Sequence, residues 1–516
     1  MPEAIRDSRR ERAVNLHIVR NSDVPIYLQL RDSFREGILS GELPGGTLLP
    51  PERKLAEELG LNRSTVVKAY DELKAEGLAE GFVGRGTTVL SQLFPRSGNG
   101  EVMPLPWSQL LNEDAASPGG SIIRDMMREA SAQDRISFAT GVPDPSLYPV
   151  DAVRDIMRRL LADDRTAGAM LLPSPVPGQD VLRESIARYL LSRHVVVSAE
   201  DVFVLSGSQQ GIDYAARLLV RPGDTVVVED PTFFGALRIF RNAGARVVGV
   251  PVDEKGIRTD ILEIVLHRFR PRLIYTLPTC QNPTGVTMGL ERRRELLQLA
   301  QRFRTPVLED DPYSDLAYDA EPPPSLFATD PTGSVLSLGS FSKTLFLGTR
   351  IGWVVAPRRV LDAFCRMKQY TDLHTNTPAQ FLLDRMLREG VYEEHLRVVR
   401  TRYATRRGIM IRTLAESAPP GMNWNSPAGG YYVWARVPPS VDVSRLPAAA
   451  ARRGVSYLPG NAFFADGIQG GSHMRLCFAA EPEDRIREGI RCLTDAVREC
   501  SGDVPAQERE AVRPVI

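Results

Sequence analysis

The chain has 516 residues, with 64 Lys and Arg against 64 Asp and Glu, 43% hydrophobic residues and 5 cysteines. This length suggests about three domain-sized units, or one large enzyme fold with an addition. A chain of this length buries enough surface to be stable without disulfides or metals. The composition excludes the collagen, disordered and disulfide-scaffold classes. The membrane class is excluded because no apolar run approaches the ~20 residues of a membrane-spanning helix.

Cysteine usage and the first residues bear on location. The cysteines form no CxxC pair and no Cys/His ligand spacing, so no metal site is expected. The first residues are charged and lack the apolar core of a secretion signal. A reducing, cytoplasmic location with no membrane partner is therefore expected. The zero net charge argues against a protein that coats nucleic acid indiscriminately, yet it permits one small DNA-binding module.

Composition divides the chain into four parts. Residues 22–90 carry short helical patterns, and residues 91–134 are rich in Pro, Gly and Ser, which indicates a linker. Residues 135–500 alternate β-branched runs with helical patterns, and residues 501–516 are expected to form a disordered tail. The predicted fold class is α/β, with a small N-terminal module and a large domain built on a mostly parallel sheet.

The N-terminal part predicts three helices followed by a hairpin. Apolar residues recur every four positions over residues 26–38, Pro50 and Pro51 open a short second helix, and Asn62 caps a third. The inward positions of the third helix are Val66, Val67, Tyr70 and Leu73. The stretch 78–89 predicts a β-hairpin with a glycine-containing tip. This order of elements is that of a winged helix-turn-helix.

Basic and polar residues cluster at the start of the third predicted helix, although the module has no basic excess. Such positions meet base edges and phosphates in the major groove, and a wing-tip arginine suits a phosphate or minor-groove contact. The candidate DNA-binding residues are Arg53, Asn62, Arg63, Ser64, Thr65, Lys68 and, at the wing tip, Arg85. The alternative is a small helical oligomerisation module with a solvated charged face.

Several runs of this module carry a family resemblance. They include residues 25–30, the run Pro50-Pro-Glu-Arg-Lys-Leu-Ala-Glu-Glu-Leu-Gly60, the run Asn62-Arg-Ser-Thr-Val66 and residues 70–78. Together they resemble the GntR-type DNA-binding domain over nearly the whole module. The resemblance implies binding to double-stranded DNA and strongly disfavours the oligomerisation alternative.

Four strand candidates lie in the large part, at residues 202–205, 225–229, 273–277 and 306–309. The first is followed by a small-residue turn, Ser206-Gly-Ser-Gln-Gln-Gly211, and then by an apolar helical pattern. Free N–H groups and the helix dipole make such a turn an anion site. The signal is weak by itself, because any tight strand-to-helix turn uses Ser and Gly. Nucleotide-binding motifs with a Walker lysine or a GxGxxG turn do not occur here.

Lys343 stands alone in the apolar, hydroxyl-rich run 337–353. Desolvation there would lower the pKa of its amine, which a Schiff-base lysine requires. Ser340 and Arg350 flank it and suit a phosphate. The alternative is an ordinary surface lysine.

Two further polar groups follow predicted strands. Asp310 and Tyr313 come at the end of one, and Asn282 follows another within Pro278-Thr-Cys-Gln-Asn-Pro-Thr-Gly285. Carboxylates at strand ends of an α/β sheet commonly face a ligand crevice. Asp310 suits a pyridine nitrogen, while Tyr313 and Asn282 suit a ring oxygen. The alternative is ordinary turn chemistry, since Asn-Pro and Asp-Pro mark turns.

In order and type, these motifs resemble the fold-type-I aminotransferases over about residues 136–500, and most of all the aminoadipate/kynurenine aminotransferase branch. The resemblance implies pyridoxal 5'-phosphate as cofactor and a catalytic Lys343 that bonds to it covalently. It implies that Asp310 pairs with the pyridine nitrogen, that Asn282 and Tyr313 hold the ring oxygen, and that Phe233 stacks on the ring. The implied phosphate ligands are Ser208, Gln209, Ser340 and Arg350, and the implied substrate contacts are Arg475, for an α-carboxylate, and Gly141.

The two parts in this order resemble the MocR-type regulators. That family implies a homodimer with possible swapping of the DNA-binding domains, and a large domain that senses pyridoxal phosphate with or without an amino-acid-like effector. The predicted function is a pyridoxal-phosphate-dependent transcription regulator that binds paired DNA half-sites. The alternative is an aminotransferase with an accessory DNA-binding module, so enzymatic turnover is left open.

Two departures from the family patterns pull in opposite directions. Many MocR-type proteins carry an aromatic residue where this chain has Asn282, and the intact asparagine favours real transamination. Pro173 stands where aminotransferases usually offer the cofactor phosphate a tyrosine across the dimer. The absence of that tyrosine is expected to weaken binding of the cofactor phosphate.

Overall fold

The computed structural model describes residues 24–39, 42–82, 86–90 and 135–501. The chain divides into two compact units, residues 1–119 and 120–516. The predicted linker 91–134, the wing-tip residue Arg85 and all of the predicted tail except Ser501 lie outside the described residues. Ser501 itself forms an isolated antiparallel bridge with Val441.

The first unit contains three helices, α1 (Ile26–Leu39), α2 (Glu52–Leu59) and α3 (Arg63–Ala75). The i, i+4 pattern buries one face of α1, whose Phe34 meets Tyr70 of α3 edge to face at 5.5 Å. Gly60 ends α2 in the left-handed conformation (φ 62°), which glycine adopts without a steric penalty. The predicted cap is present, because the side chain of Asn62 accepts a hydrogen bond from the Ser64 amide. Val67 is only half-buried.

A two-stranded antiparallel hairpin follows, made of β1 (Ala79–Phe82) and β2 (Gly86–Val89). Its register pairs Ala79 with Val89 and Phe82 with Gly86. Helix, helix-turn-helix and hairpin in this order form the predicted winged helix-turn-helix. Val89 and Leu78 close the small apolar core formed by the three helices.

In the second unit, β3 (Ile136–Ser137) precedes three helices, α4 (Val150–Ala162), α5 (Asp164–Leu171) and α6 (Asp180–Leu191). The central part then runs β4 (Val202–Leu205), α7 (Ser208–Leu219), β5 (Thr225–Asp230), α8 (Phe234–Asn242), β6 (Arg246–Asp253), β7 (Gly256–Ile257), α9 (Thr259–Phe269), β8 (Leu273–Thr276), α10 (Leu290–Phe303), β9 (Val307–Asp311), α11 (Leu326–Thr329), β10 (Val335–Ser340) and β11 (Gly352–Val355).

These strands form one eight-stranded sheet in the order β4-β11-β10-β9-β8-β5-β6-β7. The neighbours from β10 through β6 pair in parallel, whereas β11 and β7 run antiparallel to theirs. The prediction of a mostly parallel α/β sheet is therefore confirmed. Strands β4, β5 and β8 are rich in β-branched and other apolar residues and are buried on both faces, as expected where helices cover both sides of a sheet.

The C-terminal part contains α12 (Arg358–Thr371), α13 (Thr377–Arg388), α14 (Val391–Ser417), β12 (Asn423–Trp424), β13 (Tyr432–Arg436), α15 (Leu446–Arg452), β14 (Val455–Ser456), β15 (Leu458–Pro459), β16 (His473–Cys477) and α16 (Glu483–Glu499). An antiparallel sheet, β12-β13-β16-β15, forms here, and β14 pairs in parallel with β3. The segment after residue 135 is thus tied to the C-terminal part of the chain.

No described helix is long and apolar enough to cross a membrane. Within the described ranges, no group of three or more His, Cys, Asp or Glu side chains is placed to hold a metal ion.

Candidate functional site

The carboxyl ends of the parallel strands open into a cavity of about 210 Å³. Parallel strands bring their carboxyl ends to one edge of the sheet, so residues far apart in sequence meet there. All eleven candidate cofactor and substrate residues line this cavity, namely Gly141, Ser208, Gln209, Phe233, Asn282, Asp310, Tyr313, Ser340, Lys343, Arg350 and Arg475.

The Lys343 amine points into the cavity, where its Nζ donates a hydrogen bond to the Gly141 carbonyl oxygen at 2.6 Å. Burial, followed by the positive charge of Arg475, lowers the pKa of Lys343 to about 8. At pH 7 about a tenth of the amine is then neutral, far more than for an exposed lysine. This is the environment that a nucleophilic lysine needs.

Asp310 is buried near the end of β9, with 3% of its surface exposed. Its Oδ2 accepts a hydrogen bond from the Tyr275 hydroxyl at 2.8 Å, while its buried Oδ1 has no partner. Burial raises the pKa of this carboxyl to about 7. A buried carboxylate oxygen without a donor is costly, so the cavity is suited to a ligand that brings an N–H group to it.

A second end of the cavity is built for an anion. Helix α7 begins at Ser208, directly after Gly207, whose φ of 90° suits glycine. A Cβ atom on Gly207 would lie 2.6 Å from the Arg350 Nη2 atom. That nitrogen also donates to the Ser206 carbonyl oxygen at 3.3 Å. Helix N–H groups beside a guanidinium suit a phosphate.

Arg475 is almost fully buried, with 1% of its surface exposed. Its Nη1 donates to Asn282 Oδ1 at 3.1 Å and its Nη2 donates to the Ala139 carbonyl oxygen at 2.7 Å. The guanidinium lies 4.0 Å from the centroid of the Tyr432 ring, and its Nε is a buried donor without a partner. Arg475 and Asn282 are therefore held as one unit.

Tyr432 belongs to this site although the motifs did not single it out. Its hydroxyl accepts a hydrogen bond from the Tyr313 hydroxyl at 3.0 Å. A Cβ atom on Gly141 would lie 2.3 Å from the same hydroxyl oxygen, so only glycine fits beside it. The run Gly429-Gly-Tyr-Tyr432, which leads into β13, was the available signal, but alone it resembles an ordinary strand start.

A polar network behind the anion site was also missed. Lys368 is fully buried on α12, and its Nζ donates to Gln210 Oε1 at 2.9 Å and to Asp372 Oδ2 at 2.9 Å. Asp372 in turn accepts hydrogen bonds from the Ser206 hydroxyl and the Gln210 amide. The network therefore joins α12 to the turn that opens α7. In the sequence, Lys368 and Asp372 look like a common i, i+4 surface pair.

A second cavity, of about 260 Å³, is lined by Asp311 together with Arg193 and Trp353. Neighbouring residues of a strand point to opposite faces of a sheet, so Asp310 lines the first cavity and Asp311 lines the second. None of the candidate residues lines this second cavity.

The candidate DNA-binding residues of the first unit lie on α2 and around the start of α3. Arg53, Asn62, Arg63, Ser64 and Lys68 are exposed and Thr65 is half-buried. Asn62 and Ser64 hydrogen-bond to each other at the helix cap. Arg63 Nη2 lies 3.2 Å from a carboxylate oxygen of Glu52, and Lys68 Nζ lies 3.9 Å from the centroid of the Tyr27 ring.

Comparison with known proteins yields two family matches. Residues 26–89 match the bacterial regulatory proteins of the gntR family, and residues 134–493 match the class I and II aminotransferases. The probable rhizopine catabolism regulatory protein MocR of Rhizobium meliloti is 32% identical over 500 residues, which cover 95% of this chain and 98% of that protein. The chain belongs to the MocR-type transcription regulators.

Other relatives match this MocR-type chain over one or both parts. The uncharacterized HTH-type transcriptional regulator YisV of Bacillus subtilis is 32% identical over 93% of this chain and 97% of its own length. Among solved structures, the kynurenine aminotransferase of Pyrococcus horikoshii, in complex with PMP, is 35% identical with a TM-score of 0.73. The match covers 77% of this chain and 98% of that one.

The cofactor of this aminotransferase class is pyridoxal phosphate, and the residues present fit it. The partnerless Oδ1 of Asp310 offers an acceptor for a pyridinium N–H, and the opening of α7 with Arg350 offers donors for a phosphate. Lys343 supplies an amine of lowered pKa in the same cavity. Tyr313, Asn282 and Phe233 also line the space between these groups.

Proposed function

We propose that this chain is a DNA-binding transcription regulator whose large domain binds pyridoxal phosphate through Lys343 and senses an amino-acid-like compound. The observation that carries the proposal is the presence, on one chain, of a GntR-type domain and a cavity lined by a full set of cofactor-binding candidates. The proposal includes a cytoplasmic homodimer that binds paired operator half-sites and exchanges its DNA-binding domains between the two chains. Arg85 belongs to the proposed DNA contacts as well.

Each cavity residue has a proposed role. Lys343 holds the cofactor covalently, and Asp310 keeps its ring nitrogen protonated. Asn282 and Tyr313 contact the ring oxygen, Phe233 stacks on the ring, and Ser208, Gln209, Ser340 and Arg350 bind the phosphate. When bound, pyridoxal phosphate supplies an electrophilic carbon that exchanges amines, so an amino compound can bind in place of the lysine.

Arg475 is the proposed anchor for the carboxylate of the effector. It is already oriented by Asn282 and Ala139, and its buried Nε still lacks an acceptor. A carboxylate accepts hydrogen bonds from a guanidinium in a two-pronged geometry. An α-amino acid would therefore place its carboxylate at Arg475 and its amine toward Lys343.

Effector binding regulates DNA affinity only as far as one arrangement of the protein binds the effector more tightly than another. The test is binding of the purified protein to its own upstream DNA, with and without pyridoxal phosphate and a panel of amino acids. The expected result is specific binding that the cofactor or one amino acid shifts. Absence of specific binding in every cofactor state would contradict the proposal.

The second candidate function is an aminotransferase with an accessory DNA-binding domain. It is favoured by one specific observation: Asn282, which many MocR-type proteins replace with an aromatic residue, is present and hydrogen-bonded to Arg475. Pro173 argues against this function, because aminotransferases usually have at this position a tyrosine that reaches the cofactor phosphate of the partner subunit. Steady-state turnover of an amino acid with a 2-oxo acid would support this function, and a single half-reaction without turnover would support the regulator.

A further inference from the structure

The amino ends of the parallel strands, at the opposite edge of the sheet from the cofactor cavity, carry a group of exposed arginines. They are Arg246, Arg268, Arg270, Arg272, Arg302 and Arg304, and we call this group the basic edge. The cofactor chemistry uses none of them. All six come from the starts of strands or from the ends of the helices that lead into strands.

Strand register brings the basic edge together. Arg246 pairs with Thr225 of β5, Val226 of β5 pairs with Leu273 of β8, and Ile274 of β8 pairs with Val307 of β9. The starts of β6, β5, β8 and β9 therefore stand side by side. With neighbouring strands about 4.8 Å apart, the basic edge extends over roughly 15 Å.

The two helices that lead into β8 and β9 end in the same way. Helices α9 and α10 both finish with Arg-Phe-Arg, as Arg268-Phe-Arg270 and Arg302-Phe-Arg304. The last arginine of each run caps its helix in the left-handed conformation, with φ of 47° at Arg270 and 53° at Arg304. Glycine is the usual residue there, because it adopts this conformation without a steric penalty. An arginine stands in both places.

The two phenylalanines of these runs hold the guanidinium groups. Arg246 and Arg268 lie 4.8 and 5.2 Å from the centroid of the Phe269 ring. Arg270 and Arg302 lie 5.5 and 5.4 Å from that of Phe303. Cation–π contacts of this kind orient an arginine without neutralising its charge.

Carboxylates neutralise only part of the basic edge. Arg272 lies 3.4 Å from Asp224, and Arg302 lies 2.5 Å from Glu263. For Arg246, Arg268, Arg270 and Arg304, no ion pair is formed among the described residues. The carboxylate of Asp330, just before β10, is occupied by hydrogen bonds from its own turn.

We propose that the basic edge binds the phosphate backbone of duplex DNA, independently of sequence. This inference rests on the proposed function as a DNA-binding regulator, because a chain that holds an operator keeps duplex phosphates at high effective concentration. Oriented, unpaired guanidinium groups match phosphate oxygens. At about 3.4 Å per base pair along one strand, a 15 Å row covers roughly four phosphates.

The test compares two full-length variants that each remove four positive charges. One replaces the four unpaired arginines of the basic edge, as R246Q/R268Q/R270Q/R304Q. The other replaces four exposed arginines of α4 and α14, as R154Q/R158Q/R397Q/R412Q. Binding to a random-sequence duplex of about 40 base pairs is measured by anisotropy at salt concentrations from about 50 to 200 mM.

The expected result is a salt dependence, log Kd against log salt, that becomes shallower by about three to four for the basic-edge variant. This follows from a slope of roughly 0.9 for each phosphate that an arginine neutralises. The control variant is expected to keep nearly the slope of the unaltered protein. The visible absorbance of the bound cofactor, unchanged in both variants, shows that the large domain is folded. Should the quadruple variant fail to fold, R246Q/R268Q and R270Q/R304Q are each expected to give about half the change.

Equal slopes for the two quadruple variants would overturn the proposal. A second result would also overturn it. If the basic-edge variant loses binding to poly-glutamate but keeps the salt dependence of its DNA binding, the surface binds an acidic protein instead. A failure of the proposed function gives a different result: the unaltered protein would bind its operator no more tightly than a random duplex. The Arg63→Ala variant, measured on both duplexes, tests this point. The comparison of salt slopes between the two quadruple variants does not depend on it.

Discussion

Lys343 Nζ and the carbonyl oxygen of Gly141 are joined by a hydrogen bond of 2.6 Å, although 202 residues separate them in the chain. The bond directs the lysine amine into the cavity between Asp310 and Arg475. Glycine is required at position 141, because a Cβ atom there would lie 2.3 Å from the Tyr432 hydroxyl oxygen. A backbone carbonyl therefore orients the lysine amine, and burial together with the charge of Arg475 lowers its pKa.

Replacing Lys343 with alanine is expected to abolish covalent attachment of pyridoxal phosphate. No other amine lines the cavity among the described residues. Borohydride reduction followed by mass spectrometry should find the cofactor adduct on the Lys343 peptide of the unaltered protein and no adduct of comparable yield on any peptide of the variant. The exposed Lys255→Ala is the matched control and should retain the adduct. An adduct of equal yield on another lysine of the variant would show that the assignment is wrong.

The rate of covalent attachment is expected to rise with pH up to about 8. The pKa of Lys343 is lowered to about 8, and only the neutral amine attacks, so the rate should fall about tenfold for each pH unit below that value. The positive charge of Arg475 contributes to this lowered pKa. Arg475→Gln should therefore move the profile to higher pH. Stopped-flow absorbance of cofactor-free protein mixed with pyridoxal phosphate measures both, and a flat profile between pH 6 and 8 would contradict the assignment.

Asp310→Asn is expected to weaken cofactor binding by roughly 10- to 100-fold. The change keeps the shape of the side chain but removes the charge that a pyridinium N–H requires, a charge-assisted hydrogen bond of about 1.5–3 kcal/mol. Equilibrium dialysis of pyridoxal phosphate provides the measurement. Asp311→Asn, one residue along β9 and lining the other cavity, is the control and should leave the affinity within about twofold.

Lys368→Met is expected to weaken binding of the phosphate end of the cofactor. The substitution leaves Asp372, which solvent reaches, and Gln210 without the buried amine that joins them, and it loosens the turn that opens α7. Affinity for pyridoxal phosphate should fall more than affinity for pyridoxal, which lacks the phosphate. Arg366→Met, exposed on the same helix, controls for the removal of a positive charge. An equal decrease for both ligands would indicate a general structural effect.

Arg63→Ala is expected to weaken specific DNA binding by about 1–3 kcal/mol and to leave cofactor absorbance unchanged. Arg63 is exposed at the first position of α3, where Glu52 orients it. Arg35→Ala, exposed on α1 and paired with Glu76, is the control within the same domain. Operator affinity equal to that of the unaltered protein would remove Arg63 from the DNA contacts.

The sequence alone determined both domain types and eleven of the residues that line the cofactor cavity, but not Tyr432. Periodicity identified α1 because one apolar face of that helix must be covered, and β-branched runs identified the central strands because both of their faces are buried. The motifs around Asn282, Asp310 and Lys343 each follow a strand, and parallel strands end at one edge, so their meeting could be predicted without coordinates.

Only the tertiary structure decided which groups act on one another. The hydrogen bonds from Tyr275 to Asp310, from Arg475 to Asn282 and from Tyr313 to Tyr432 join residues 35 to 193 positions apart. No local pattern encodes such pairs, because they depend on how separate strands and helices pack. The burial of Lys368 and the alignment of the basic edge have the same origin. The sequence shows only that a side chain is charged. Its pKa and its binding partners depend on the solvent and the neighbouring groups that surround it after folding.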